Sequence, residues 1–378
     1  MSAAENTSAA DGAKKFLLDP YEDWARGENI PIHLDFGHDL IALETERWDR
    51  YDAKGCFAHT HGRGDFMSNY VIEVDPGKKT RPVKHLYEAF FYALEGFGST
   101  TIWLANGSTR TFEWGPKALF AIPLNAKHRH FNSSGRERAL LVTTTDLPLV
   151  LNVFHNEKFV FDTDFAFMVR AGKSAYYNGE GDMITVRPGN HMWETNFVPD
   201  LASIELKTWG DRGAGGTNIM FVLADGTMHA HISEMPVGTY KKGHRHGSGF
   251  HVMCVTGTGY SLMWHDIAKD MIRIDWGHGV VFPPADQQFH QHFNTGREPA
   301  RYLATAVGGL RYPMTVQNRR SLLGLKPDDK GAVSTSIKEG GDQVEYEDQD
   351  PRIQEMWLAD TKKHGTDQKM DKFFPGKA

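Results

Sequence analysis

The chain has 378 residues, of which 40% are hydrophobic and 12% aromatic, and its formal net charge is −6. This length and composition predict a folded protein of two or three domains and exclude a disordered one. With 48 acidic against 42 basic side chains, the chain lacks the positive footprint of a protein that binds nucleic acid or an anionic membrane.

The N-terminal residues 1–16 are mostly small and polar, without the apolar core of a signal peptide, and no apolar run reaches the roughly 18 residues of a membrane span. The only cysteines are Cys56 and Cys254, too few for a disulfide framework, which suits a reducing compartment. We therefore expect a cytoplasmic protein that does not enter the membrane.

An internal repeat is the main organising feature of the sequence. HRHFNSSGRERALLV at 128–142 matches HQHFNTGREPARYLA at 290–304, and the segment at 75–98 parallels the segment at 235–259. At one offset the second alignment superposes three glycine or histidine pairs: Gly77 with Gly238, His85 with His246, and Gly96 with Gly257. Independent matches at a single offset indicate two copies of one domain.

Both copies are predicted to be all-β. Short apolar or alternating runs such as SNYVIEV, AFFYAL, STTIWLA, HVMCV and ARYLATAV are separated by Gly, Pro and Asn turns, as in a β-sandwich or barrel. The predicted organisation is an N-terminal extension at 1–59, a first domain at 60–165, an inter-domain segment at 166–215, a second domain at 216–312 and a C-terminal tail at 313–378.

The tail is predicted to contain one helix. Asp350 and Pro351 form a helix start, with proline at the first helical position. Ile353 and Trp357 follow at helical spacing, and Gly365 ends the pattern. We expect the apolar stripe of this helix to pack against the two domains or against a neighbouring subunit.

The second copy carries histidines in a pattern typical of a metal site. His244 and His246 are two residues apart on a predicted strand, so both side chains point to the same side, and Phe250 shares their parity. His290 comes from a different strand. Three neutral imidazoles can then hold one face of an ion such as Fe, Zn, Cu or Ni, with open positions for a substrate.

Two further histidines have different expected positions. His251 has the opposite parity to His246, so a regular strand points it away from the metal, and only a bulge would bring it in as a fourth ligand. His292 shares the parity of His290 and is expected to face the cavity, as a hydrogen-bond donor to a metal ligand, a substrate contact, an alternative third ligand or a side chain that fills the barrel. Together with Tyr260, these histidines are the candidates for a general acid or base.

These motifs resemble those of the cupin family, and here they read Gly238-x5-His244-x-His246-x3-Phe250-x6-Gly257 and His290-x3-Asn294. The chain is identified as a bicupin, which implies two tandem jelly-roll barrels of the double-stranded β-helix type and, frequently, a homo-oligomer. The family expects a glutamate ligand where Phe250 stands. This replacement resembles the gentisate 1,2-dioxygenase-like bicupins, which implies Fe(II) bound by the three histidines and an aromatic or enolic, diketone-like substrate cleaved with dioxygen. Mn, Ni and Zn also suit three imidazoles.

The expected cavity is apolar, because Phe250, Val252 and Cys254 share one face of their strand. The candidate substrate contacts are Phe250, Gln288, Arg301 and Tyr260, with Arg273 as an alternative cation for a carboxylate. Two other functions stay open: a metal-dependent lyase, isomerase or decarboxylase at the same site, which needs no dioxygen, and a ligand-binding bicupin without catalysis.

The first copy departs from the motif. Val83 and Ala89 stand at two of the four ligand positions, and only His85 and His128 remain. Glu88 is one residue out of register and is expected to point away from the barrel interior. The sequence therefore predicts no tight metal site in this copy.

Overall fold

The computed structural model describes residues 16–61, 66–187, 190–208, 213–247, 250–309, 311–314 and 335–373. Within these ranges the chain is mainly β-structure, folded into two barrels that each consist of a large and a small sheet. No helix among the described residues is both long and apolar enough to span a membrane.

The first barrel contains an eight-stranded and a three-stranded sheet. The strands in this part of the chain are β1 (Ile32–Asp35), β2 (His38–Asp39), β3 (Glu46–Trp48), β4 (Ala53–Thr60), β5 (Ser68–Val74), β6 (Ala89–Glu95), β7 (Gly98–Trp103), β8 (Thr109–Trp114), β9 (Leu119–Ala121), β10 (Lys127–Asn132) and β11 (Ala139–Thr145). The large sheet runs β1-β4-β5-β11-β6-β9 and ends with β14 (Phe197–Val198), with β3 beside β4, and the small sheet runs β10-β7-β8.

The second barrel contains a nine-stranded and a five-stranded sheet. The remaining strands are β12 (Asp182–Arg187), β13 (Asn190–Thr195), β14 (Phe197–Val198), β15 (Lys207–Thr208), β16 (Thr217–Leu223), β17 (Met228–Met235), β18 (Gly243–His244), β19 (His251–Thr256), β20 (Gly259–Trp264), β21 (Ile272–Trp276), β22 (Val280–Phe282), β23 (Phe289–Asn294), β24 (Ala300–Val307) and β25 (Gln343–Val344). The large sheet runs β12-β13-β16-β17-β24-β19-β22-β2, with β15 beside β16, and the small sheet runs β21-β20-β23-β18-β25.

Two short strands pair with the sheet of the other barrel. β2 pairs with β22 of the second barrel, and β14, which follows the first barrel in the chain, returns to pair with β9. The predicted extension at 1–59 supplies β1, β3 and all but the last residue of β4 to the first large sheet. The N-terminal segment is therefore an integral part of both barrels.

The two large sheets pack face to face, so their central strands are buried on both sides. Alternate residues of the first sheet fill the first barrel: Phe57, Ile72, Phe91 and Leu141. Their neighbours in the chain lie in an apolar cluster between the barrels: Cys56, Val71, Phe90 and Leu140. The second sheet contributes Ile219, Ile232 and Leu303 to this cluster. Burial on both faces explains why runs such as AFFYAL are continuously apolar rather than alternating.

Four α-helices are described: α1 (Pro20–Gly27), α2 (Leu147–Phe154), α3 (Glu157–Asp162) and α4 (Pro351–His364). The prediction of a C-terminal helix is confirmed: the Asp350 side chain accepts a hydrogen bond from the Arg352 amide, and Gly365 ends α4 at a φ of 63°. Ile353 and Trp357 are each 1% exposed and pack against the small sheet of the second barrel. The apolar stripe is therefore buried within the chain itself.

Each copy of the repeat contains a glycine that makes room for a tryptophan. Gly259 lies opposite Trp276 on β21, and Gly98 lies opposite Trp114 on β8. A Cβ atom on Gly259 would lie 2.6 Å from the Trp276 ring and would collide with the carbonyl oxygen of Phe293. Gly98 and Gly259 are the second glycines of the Gly-x-Gly motif, which reads Gly96-Phe97-Gly98 in the first copy and Gly257-Thr258-Gly259 in the second. This second glycine is thus required by close packing rather than by a turn.

We predict that Gly259→Ala lowers the free energy of unfolding by about 3 kcal/mol, because the added methyl group overpacks this contact. The matched control is Gly277→Ala, where the nearest atom to an added Cβ is the Thr258 methyl group at 3.9 Å. The control should change stability by less than about 0.5 kcal/mol. Denaturant unfolding followed by tryptophan fluorescence measures both, and equal midpoints for the two variants would contradict the packing argument.

Candidate metal centre

The ladder between β18 and β23 brings three histidines together. His244 is the direct register partner of His290, and His246 follows two residues after His244. The potential ligand nitrogens of the three all lie within 4.8 Å of one another. Metal–nitrogen bonds of about 2.1 Å place two nitrogens at most about 4 Å apart, so small side-chain rotations complete a common coordination sphere. We call these residues the histidine triad.

Backbone carbonyls set the tautomer of two triad members. Nδ1 of His244 lies 3.1 Å from the Lys242 carbonyl oxygen, and Nδ1 of His290 lies 3.1 Å from the Gln288 carbonyl oxygen. A carbonyl only accepts, so each Nδ1 carries the proton and each Nε2 presents a lone pair. Metal-binding imidazoles are commonly oriented by such a hydrogen bond, and the donor set therefore fits a divalent transition metal.

The wall beside the triad is apolar. The Phe250 ring lies 4.2 Å from the His246 ring, centroid to centroid. Phe250 also packs with Val252, Cys254 and Phe282 in the core of the second barrel. A small cavity in this core is lined by Val252, Cys254, Trp276, Phe282, His292, Ala300, Arg301 and Tyr302. The structure thus places phenylalanine, rather than a carboxylate, next to the second histidine of the motif.

His292 lies inside the barrel next to the triad. Its ring centroid is 5.5 Å from that of His290 and 6.5 Å from that of His244. Its Nδ1 is 2.7 Å from the Ser261 hydroxyl. His292 thus lies beside the triad, but its ring nitrogens do not belong to the group of nitrogens that converge there.

His251 points away from the triad, as its parity predicts. Its Nδ1 is 3.0 Å from the Asn69 amide nitrogen of the first barrel, and Thr144 donates to the oxygen of the same amide. The imidazole is 2% exposed and belongs to the contact between the barrels. The structure therefore does not bring this candidate catalytic residue to the site.

Two candidate substrate contacts lie on the outer faces of their strands. Ser261 and Tyr302 face the barrel interior, so their chain neighbours Tyr260 and Arg301 face outwards. Tyr260 stacks on Phe293 under α4, at a centroid distance of 4.5 Å. Arg301 donates to Glu234 at 2.7 Å and to two backbone carbonyls. Neither functional group reaches the triad.

The other two polar candidates are engaged elsewhere. Arg273 forms ion pairs with Asp360 at 2.6 Å and Asp275 at 2.7 Å on the outside of the small sheet. The Gln288 amide oxygen accepts a hydrogen bond from the Ala285 amide in its own turn. Gln288 thus contributes through its carbonyl, which orients His290, rather than through a side-chain contact to substrate.

Sequence reasoning missed three polar residues of this barrel. His229 and His231 lie on β17 with Nε2 of the first 2.7 Å from Nδ1 of the second, and His229 lies 5.6 Å from Phe250 between ring centroids. The Lys241 ammonium is 5.1 Å from the centre of the Tyr302 ring. The available signal for the pair was its His-x-His spacing, which the pair shares with His244 and His246. Burial lowers the pKa of His229 to about 4, so this imidazole is neutral at pH 7.

The first barrel repeats the geometry with a different residue set. Val83 forms a backbone β-bridge with His128, at the position where His244 pairs with His290 in the second barrel. The isopropyl group of Val83 therefore occupies the place of a ligand. Among the described residues, the triad is the one group of at least three potential ligands that converges. Glu88 leaves the barrel interior and accepts hydrogen bonds from the backbone amides of Thr227 and Met228.

We predict one bound metal ion per chain after anaerobic purification or reconstitution, and none in His244→Ala, because two imidazoles without a carboxylate hold the ion weakly. The matched control is His128→Ala in the first barrel, which should retain one ion. Elemental analysis of the purified proteins measures the stoichiometry. Two ions per wild-type chain would show that the first barrel also binds metal.

The buried first-barrel histidines predict a pH-dependent stability. Burial lowers the pKa of His128 from its usual 6.5 to about 4, and it also lowers the pKa values of His85 and His130. Between pH 6.5 and pH 4 the unfolded chain binds more protons, so stability falls as the pH falls through this window. His128→Asn should flatten the slope, measured as denaturation midpoints at pH 7, 6 and 5. An unchanged slope would show that His128 does not contribute.

No family model matches the sequence, and no curated protein matches it. Among solved structures, the formate complex of oxalate decarboxylase from Lactobacillus farciminis aligns over 78% of this chain and 91% of its own, with 12% identity and a TM-score of 0.50. A variant of the Bacillus subtilis oxalate decarboxylase covers 78% and 81% at 13% identity and a TM-score of 0.47. Vicilin from hazelnut, Corylus avellana, covers 72% and 85% at 11% identity and a TM-score of 0.46. The chain has the fold of a bicupin, two tandem cupin barrels.

Proposed function

We propose that the second barrel is the active site of a metal-dependent lyase that decarboxylates, or otherwise cleaves, a small oxyanionic substrate. The observation that carries this proposal is the position of His292. The sequence offered three acid–base candidates, His251, His292 and Tyr260. The imidazole of His292 lies beside the triad, whereas the side chains of the other two lie elsewhere. A reaction that leaves a carbanion or enolate needs such a proton donor.

The donor set favours an anionic substrate. A divalent metal bound by three neutral imidazoles would keep its full positive charge and would act as a Lewis acid that polarises a bound oxygen. Mn, Fe, Ni and Zn all suit this set, since imidazole binds each of them. Phe250 lies against His246 and Tyr302 against His292, and these rings would limit the access of water and so strengthen electrostatic interactions with a substrate. The fold similarity to an oxalate decarboxylase in complex with formate supports the same reaction class.

A dioxygenase that cleaves an aromatic or enolic substrate is the second candidate. The specific observation in its favour is the apolar wall of Phe250, Val252 and Cys254, which suits a planar ring better than a small dicarboxylate. Such an enzyme would use dioxygen as a second substrate. This candidate agrees with the resemblance of the motif to gentisate 1,2-dioxygenase-like bicupins.

The test is turnover with and without dioxygen. We expect metal-reconstituted protein to release product from a member of a panel of oxalate, β-keto acids, β-diketones, gentisate and catechol under strict anaerobiosis, with His290→Ala as the inactive control. Turnover that requires stoichiometric oxygen uptake would overturn the lyase in favour of the dioxygenase. Tight binding without turnover for any metal would indicate a ligand-binding protein instead.

A further inference from the structure

A buried chain of two hydrogen bonds ends at His292. The Trp276 indole nitrogen donates to the Ser261 hydroxyl oxygen at 2.9 Å, and the same oxygen lies 2.7 Å from Nδ1 of His292. Ser261 and His292 are direct register partners on β20 and β23. Ser261 is fully buried, and His292 is 3% exposed. We call these three side chains the tryptophan–hydroxyl–histidine relay.

Counting donors and acceptors assigns the hydrogens in this relay. An indole nitrogen only donates, so the serine oxygen accepts from Trp276 and keeps one hydrogen of its own. The Ser261 hydroxyl contacts the Trp276 indole nitrogen and Nδ1 of His292, and of these two atoms Nδ1 is the one that can accept the serine hydrogen. The neutral imidazole therefore carries its proton on Nε2. This is the reverse of His244 and His290, whose Nδ1 atoms donate to carbonyls.

The first barrel contains the same relay. The Trp114 indole donates to Thr100 at 3.0 Å, and the Thr100 hydroxyl lies 2.8 Å from Nδ1 of His130. Thr100 and His130 are register partners, as Ser261 and His292 are. This copy faces no converging triad, because Val83 replaces the first ligand. The chain thus supplies a matched control for the relay within one molecule.

The geometry points to Trp276 and Ser261 as positioning residues that hold His292 as an Nε2–H donor to an anionic oxygen of the substrate, a carboxylate or enolate. This inference rests on the proposed function of the triad. The ring of His292 is 5.5 Å from that of the ligand His290, a spacing suited to contacting an atom bound at the metal rather than the metal itself. A donor fixed in this tautomer stabilises negative charge on oxygen without a buried charge of its own.

The tautomer is measurable without substrate or metal. In selectively 15N-histidine-labelled protein, metal-free or loaded with Zn(II), two-bond 15N–1H correlations distinguish protonated Nε2 from protonated Nδ1, and the loss of signals in His292→Gln assigns this ring. We expect an Nε2–H tautomer in the wild type and in Ser261→Thr, which copies the first barrel. Ser261→Ala should gain the Nδ1–H form. A wild-type Nδ1–H tautomer would overturn the relay, whatever the triad binds.

The effect on substrate is tested by oxalate binding to Co(II)-substituted protein, followed by the visible spectrum of the metal. A hydrogen bond to a charged oxygen predicts that Ser261→Ala binds oxalate about tenfold more weakly. Ser261→Thr and the first-barrel control Thr100→Ala should stay within about twofold, and all variants should bind Co(II) equally. Unchanged oxalate affinity in Ser261→Ala would overturn the role of the relay. Failure of the wild type to bind Co(II) would overturn the proposed metal centre, and the tautomer would still be decided by the metal-free spectra.

Discussion

The ladder between β18 and β23 is the contact on which the candidate centre depends. It places His244 opposite His290, and because side chains alternate along a strand, it also turns His246 and His292 towards the same space. A slip of one residue would turn these imidazoles outwards. β18 has only two residues, yet β25 from the C-terminal tail pairs with its other edge, and Arg245 donates to Asp342 at 2.8 Å. The tail therefore holds the ligand strand from the side that the barrel leaves open.

The two barrels show how one scaffold supports different interiors. Both keep the Gly-x-Gly corner, the tryptophan above it and the hydroxyl–histidine pair on adjacent strands. In the first barrel the space around His85 and His128 is filled, with Tyr87 stacked on His85 at 3.6 Å and its hydroxyl in a chain of three buried phenols that includes Tyr70. In the second barrel the corresponding space is lined by Phe250 and by His229. The difference lies in side chains that point inwards, while the strand pairing is preserved.

The fold and the triad were predictable because both follow from local rules. The repeat identified two domains, strand parity placed His244 and His246 inside and His251 outside, and the motif resemblance supplied His290. Tyr260 and Arg301 were chosen without a parity argument, because the sequence offered no fixed reference on β20 and β24, where Ser261 and Tyr302 are the residues that face inwards. The exchange of β2 and β14 was not predictable, since pairing between distant segments leaves no periodic signal. His229 and His231 were overlooked because a His-x-His spacing carries little weight without the surrounding motif.

The exchanged strands make the two barrels a single structural unit. Without the first barrel, the second would lose β2 from the edge of β22 and would expose Ile219, Ile232 and Leu303 to water. The first barrel therefore supports the second through the surface that it covers rather than through a ligand set of its own. Valine at position 83 leaves that surface unchanged, because its side chain packs into the first-barrel core.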